Sequence, residues 1–154
     1  MRPLFLSLRG IGPFVESQQI DFSLLDEKAL FLIHGPTGLG KSFIFDAICY
    51  ALYADTPSER EGHLKSDYLQ DDIEPYVDFI FSLGVDRYRV RRSLRYHRPK
   101  KRGDGTTTQD DSHLLAGIGA DGTETVLAEK KNEVDSRIRE LLGLDAGQFR
   151  QVVM

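Results

Sequence analysis

One cysteine among 154 residues removes two chemistries at once. No disulfide can be drawn, and no Cys/His arrangement with zinc spacing exists. Cys49 lies in an apolar stretch and reads as a packing residue. Long hydrophobic runs are also missing. The N-terminal apolar run, residues 4–8, is too short for the core of a signal peptide and far too short to span a bilayer. The expectation is a cytoplasmic chain with no membrane partner. No repeat or heptad array occurs, so no coiled coil is encoded within these residues. At this length a single domain with a real core is the prior.

The net charge of −4 is small, but it hides an asymmetry. Residues 87–102 hold nine Lys or Arg and no acid, which leaves 11 basic against 24 acidic residues elsewhere. Local charge therefore says more about partners than the average does.

What is present is concentrated in Gly35-Pro36-Thr37-Gly38-Leu39-Gly40-Lys41-Ser42, which fits the phosphate-binding loop (Walker A) pattern G-x-x-x-x-G-K-[ST]. Glycines let the backbone curl until consecutive N–H groups converge on an anion. Those donors are expected from about Gly38 to Phe43, at the start of a helix whose dipole favours negative charge. Lys41 is the expected catalytic cation, reaching the β- and γ-phosphates. The Ser42 hydroxyl is placed to ligate Mg²⁺. The nucleotide contacts thus run from Gly35 through Pro36, Thr37, Gly38, Leu39, Gly40, Lys41 and Ser42 to Phe43. Context supports this. Residues 29–33 are a short apolar run of buried-strand type. Residues 42–54 have helical length, with Ile44, Ile48 and Leu52 on one stripe and apolar residues around most of the remainder.

Along the rest of the chain, residues 4–8 and 19–22 read as strands joined through a Gly10-Ile11-Gly12-Pro13 turn. Residues 55–64 and 100–111 read as mobile loops, the second glycine- and threonine-rich and disordered. Residues 66–69 suggest one helical turn. Residues 76–83 and 87–96 suggest a hairpin about Gly84. Residues 113–118 and 123–127 suggest another, about Asp121-Gly122. A helix over 129–142 has Val134, Ile138 and Leu141 as its stripe and Gly143 as its stop. Asp145 caps a further short helix. Alternation along 87–96 puts Arg87, Arg89, Arg91 and Arg95 on one face, a row of roughly 25 Å at the usual strand rise. That row suits a nucleic-acid backbone; the alternative is a solvated face neutralised by the chain's acids.

Leu24-Leu25-Asp26-Glu27 resembles the apolar strand and acid pair that hold metal and attacking water in many ATPases. Ser23 interrupts it, and it precedes the loop instead of following it, so it reads as a surface turn. Gln148 and Gln151 invite a metal- or water-positioning role, yet Asp145-x-x-Gln148 has capping-box spacing. His34 and Asp46 read as packed or locally paired.

In combination the chain resembles SbcC-type ATPases, the bacterial branch of the SMC-like, ABC-type DNA double-strand-break repair proteins. The resemblance rests on Met1-Arg2-Pro3-Leu4, Gly10 to Phe14, Ile20-Asp21-Phe22, the glycine loop with Phe45-Asp46-Ala47-Ile48, and Ala51-Leu52-Tyr53. It continues through Tyr88-Arg89-Val90-Arg91-Arg92-Ser93, the tract at 98–103, Leu141-Leu142-Gly143-Leu144-Asp145 and Gln148-Phe149. It implies an α/β P-loop NTPase fold over 1–154, the N-terminal lobe of an ABC-like head, with an antiparallel sheet beside the phosphate-loop helix. It also implies ATP and Mg²⁺ as cofactors. The implied partners are the C-terminal half of the same head, a second head in a homodimer, an SbcD-like nuclease subunit and DNA. The signature motif, the metal-binding acids and the metal-contacting glutamine of that family are not among these residues. The implied fragment binds ATP without turning it over. A self-contained phosphotransferase or kinase, and a DNA-binding module with purely structural nucleotide, are the competing readings.

Overall fold

Val77, Phe79 and Phe81 recur at every second position and are fully buried, which gives the sheet its inner face. The computed structural model describes residues 1–25, 32–55, 64–100 and 104–153. Its main element is a six-stranded sheet in the order β2-β1-β3-β4-β7-β8. The strands are β1 (Arg2–Arg9), β2 (Gln18–Asp21), β3 (Tyr76–Leu83), β4 (Asp86–Ser93), β7 (Ser112–Ile118) and β8 (Glu124–Ala128). Every neighbouring pair is antiparallel. A separate two-stranded ribbon is formed by β5 (Tyr96–Pro99) and β6 (Thr106–Gln109). The helices are α1 (Lys41–Tyr53), α2 (Lys131–Leu142) and α3 (Ala146–Val153).

Register lines up the inner face. Leu6 lies opposite Phe79, Leu8 opposite Val77, and Phe79 in turn opposite Val90, which meets Leu115. All six are almost wholly buried. Each such side chain contributes roughly 1.5–3 kcal/mol of burial. α1 packs on β3 and β4, and α2 on β7 and β8, which closes the core. From Asp46 to Tyr53 every residue of α1 is buried, as its all-round apolar sequence requires. α3 joins it through Tyr53 and Phe149, ring centroids 5.5 Å apart. α2 stops at Gly143, which takes a left-handed φ of 66° while its N–H bonds Arg139 O. α3 opens with a reciprocal cap. The Gln148 N–H donates to Asp145 Oδ1 at 2.8 Å, and the Asp145 N–H donates to Gln148 Oε1 at 3.0 Å.

Several sequence expectations change. The strand expected over 87–96 ends at Ser93, because the Leu94 N–H turns to Pro75 O (3.0 Å) and the His97 N–H to Asp71 O (3.0 Å). The chain resumes as β5 in a different sheet, so the arginine row is cut short. Residues 106–109, expected to be disordered, form β6; three consecutive threonines suit an extended, half-exposed strand. The 66–69 segment is a single turn closed by the Leu69 N–H to Ser66 O. Of the run expected to form a strand before the glycine loop, 29–31 lie outside the described residues. Leu32 and Ile33 join no sheet, and Leu32 is 84% exposed. Of the loop expected over 55–64, residues 56–63 lie outside the described set. Asp55 is ion-paired with Arg150, and Leu64 is buried. No helix among the described residues is long and apolar enough to cross a membrane.

Candidate phosphate-binding site

The glycine loop leads directly into α1, whose N-cap is Gly40 with φ 82° and ψ 13°. Gly40, left-handed and without a side chain, makes no side-chain cap to the helix, and no acid sits in the first turn. Amide donors at the positive end of a helix dipole form an anion site. Lys41, at the first helical position, folds its ammonium back over the loop. Its Nζ donates to Gly35 O and to Pro36 O, both at 2.7 Å. Two carbonyls thereby hold the cation beside the helix N-terminus. Residues 36–39 and Ser42 are exposed, and a Cβ added at Gly38 would meet nothing within 4 Å. The loop is therefore open on the side an anion would approach, and its donors, cation and hydroxyl fit a Mg²⁺-bound polyphosphate.

The rear of the loop is closed by a segment that sequence reasoning treated only as a turn. A Cβ on Gly40 would fall 2.6 Å from Pro13 Cγ and 2.8 Å from Phe14 Cζ. A Cβ on Gly12, itself at φ 51°, would fall 2.3 Å from the Phe43 ring. The 10–14 turn thus fits face to face against the loop and the first turn of α1. It is fixed in its own place by the Gly12 N–H to Leu64 O (2.9 Å) and the Ser66 N–H to Gly10 O (2.8 Å), around a fully buried Ile11. The signal was the pair of glycines before Pro13, whose need for close approach is visible only in three dimensions.

The far end of α1 is held by Arg92, a fully buried cation. Its Nε donates to Ala51 O at 2.6 Å and its Nη2 to Leu52 O at 3.2 Å, the carbonyls that a helix C-terminus leaves without partners. Nη2 also meets Asp135 Oδ1 of α2 at 2.6 Å. Nη1 lies 2.9 Å from His113 Nδ1. Arginine can only donate, so His113 Nδ1 accepts and the ring proton sits on Nε2, which donates to Asp111 Oδ2 at 2.8 Å. Burial, reinforced by the Arg92 charge and opposed by Asp111, pushes the His113 pKa down. Burial likewise pushes the Cys49 thiol up to about 11, in keeping with a packing role.

The expected nucleic-acid residues are only partly brought together. Arg87, Arg89 and Arg91 share the outer face of β4, about 13 Å from first to last at the strand rise. Arg95 stands apart between β4 and β5. Arg89 grips Asp78 through Nε (2.9 Å) and Nη2 (2.5 Å), and Glu124 through Nη1 (2.8 Å). These bonds raise its pKa, the one to Asp78 most. Arg91 meets Glu74 at 3.2 Å and lies 4.3 Å from the centre of the Tyr76 ring. Arg95 pairs with Asp110 at 3.2 Å, both exposed. His34 is exposed beside the loop, and Gln151 is exposed on α3. Among the described residues no group of three or more His, Cys, Asp or Glu could hold a metal ion.

Residues 6–154 match the family described as AAA domain. The SbcC component of the SbcCD nuclease of Vibrio cholerae is 46% identical over 156 residues, covering 100% of this chain and 15% of that protein. The component of the same name from Lactococcus lactis is 38% identical over 157 residues, with the same coverage of 100% and 15%. That of Staphylococcus aureus is 38% identical over 154 residues, covering 99% and 15%. This chain thus spans 15% of the length of the relatives it matches. Among solved structures, the SMC head domain from Thermotoga maritima is 23% identical with a TM-score of 0.49, covering 89% of this chain and 42% of that one.

Proposed function

The chain belongs to the AAA domain family, with SbcC proteins as its relatives, and on that premise we propose that it binds ATP and Mg²⁺ as half of an ATPase head. The observation that carries this is the placement of the Lys41 ammonium, 2.7 Å from both Gly35 O and Pro36 O, beside a helix N-terminus that has no side-chain cap. From there the ammonium neutralises the terminal phosphates. The amides from Gly38 to Phe43 orient them, and the Ser42 Oγ ligates the metal. Bound Mg²⁺ supplies charge neutralisation between phosphate oxygens. The loop's rigid backing by Gly12, Pro13 and Phe14 keeps these donors aimed before the ligand arrives.

Hydrolysis then depends on groups supplied from outside this chain: a C-terminal half that completes the head, and a second head across the nucleotide. ATP-driven pairing of heads regulates an SbcD-like nuclease subunit at DNA ends, in the cytoplasm. Titration of ATP with and without Mg²⁺ tests the site. Lys41→Ala is expected to abolish saturable ATP binding, and Ser42→Ala to remove most of the Mg²⁺-dependent gain while leaving weak nucleotide binding. Equal ATP affinity in the wild type and in Lys41→Ala would overturn this assignment.

A further inference from the structure

His113 is a buried titratable group outside the phosphate site, yet it touches the residue that holds the helix carrying that site. Arg92 commits Nε and Nη2 to Ala51 O, Leu52 O and Asp135 Oδ1, and Nη1 to His113 Nδ1. The last bond exists only while Nδ1 keeps its lone pair, because a guanidinium can only donate. The His113 side chain is 6% exposed and its Nε2 is held on Asp111, so no other ring atom is free to replace Nδ1. The charged groups around the ring are Arg92 from β4, Asp135 from α2 and Asp111 on its own chain. Lys131 of α2 acts on Asp111, and Tyr50 of α1 lies within the field of Arg92, Asp111 and Asp135. A proton on Nδ1 would set two cations against each other across 2.9 Å and remove one of the bonds that hold Arg92 in place.

α1 joins this cluster to the phosphate site. It has 13 residues, a length of about 20 Å at the helical rise. Its first turn fits against Gly12 through the Phe43 ring, and its last turn is held by Arg92. These two attachments fix the direction of the helix, and with it the aim of Lys41 and the loop amides. We propose that protonation of His113 loosens the Arg92 clamp and thereby weakens ATP binding at the other end of α1, a regulation that rests on the glycine loop being an ATP site. His113 and Arg92 act here as positioning residues, since both bind the C-terminal end of α1. Burial first, and then the Arg92 charge, hold the folded pKa of His113 below 6.5. The clamp is therefore intact at neutral pH and opens as pH falls through that lowered value. Linkage demands the reverse effect as well: bound ATP lowers the His113 pKa by the same factor.

The test compares ATP·Mg²⁺ titrations of wild type and His113→Gln at about pH 7.5 and about pH 5.5, with circular dichroism confirming the fold at each. Glutamine offers an oxygen to Arg92 and an N–H to Asp111 without titrating, so its affinity at the higher pH should match wild type. On acidification wild type should lose about fivefold more ATP affinity than His113→Gln, the loss common to both being titration of the nucleotide itself. The His113 ring resonance in proton NMR, identified by its absence from His113→Gln, should titrate with a pKa about 0.7 lower in protein saturated with ATP·Mg²⁺, which is the same fivefold factor. That measurement uses wild type alone, so it decides the matter should the variant fold poorly. Identical pH profiles in the two proteins, or one His113 pKa with and without ATP, overturns the proposal and leaves the nucleotide site standing. Absence of saturable ATP binding by wild type at the higher pH overturns both.

Discussion

Replacing Arg92 with methionine removes a cation of β4 that joins α1 and α2. The side chain is fully buried, so nothing from solvent substitutes for it. Asp135 would be left with a side chain only 14% exposed and no countercharge, and Ala51 O and Leu52 O would lose their donors. Removing one partner of a buried ion pair costs about 3–5 kcal/mol. In a domain of this size, where 1 kcal/mol shifts the melting temperature by about 2–4 °C, that becomes a loss of roughly 6–20 °C. Thermal unfolding followed by circular dichroism reads it. Adding Asp135→Leu to Arg92→Met should recover part of the loss by removing the stranded charge, but not all of it. The two helix carbonyls remain unsatisfied at about 1–3 kcal/mol. A loss below about 1 kcal/mol in Arg92→Met, or full recovery in the double variant, would refute the claim that Arg92 caps α1.

Three further outcomes follow from the same geometry. Gly12→Ala places a Cβ 2.3 Å from the Phe43 ring at a positive φ, so a nucleotide titration should show a loss of roughly tenfold, about 1.4 kcal/mol. His113 resists protonation in the folded protein, while the unfolded chain takes up a proton near pH 6.5. Stability measured by urea unfolding should therefore fall as pH drops below about 6.5, and His113→Gln should flatten that slope. Asp145→Ala removes one half of the α3 cap and should cost about 1 kcal/mol, seen as faster amide exchange in α3 with the sheet unaffected.

Legibility in the sequence followed the range of the interactions. The β3–β4 and β7–β8 hairpins, α2 with its Gly143 stop, and the Asp145–Gln148 cap were readable, because alternation, turn residues and caps act over a few positions. The glycine loop leading into α1 was readable for the same reason: its pattern is written in eight consecutive residues. The break at Ser93 was not, since it depends on carbonyls at Asp71 and Pro75. The role of Arg92 was hidden because its partners are spread over positions 51, 52, 113 and 135. The apolar run ahead of the glycine loop has a strand's composition, but a strand exists only where a neighbour accepts its hydrogen bonds. Leu32 and Ile33 have no such neighbour among the described residues. The backing of the loop by Gly12 is likewise a matter of contact between segments distant in sequence.

The claim that this chain grips ATP·Mg²⁺ yet does not complete hydrolysis is tested most directly by measuring binding and steady-state phosphate release side by side, in the purified chain and in Lys41→Ala. The expected result is saturable binding that Lys41→Ala abolishes, with phosphate release at background in both proteins. Sustained turnover by the pure chain that disappears in Lys41→Ala would contradict it.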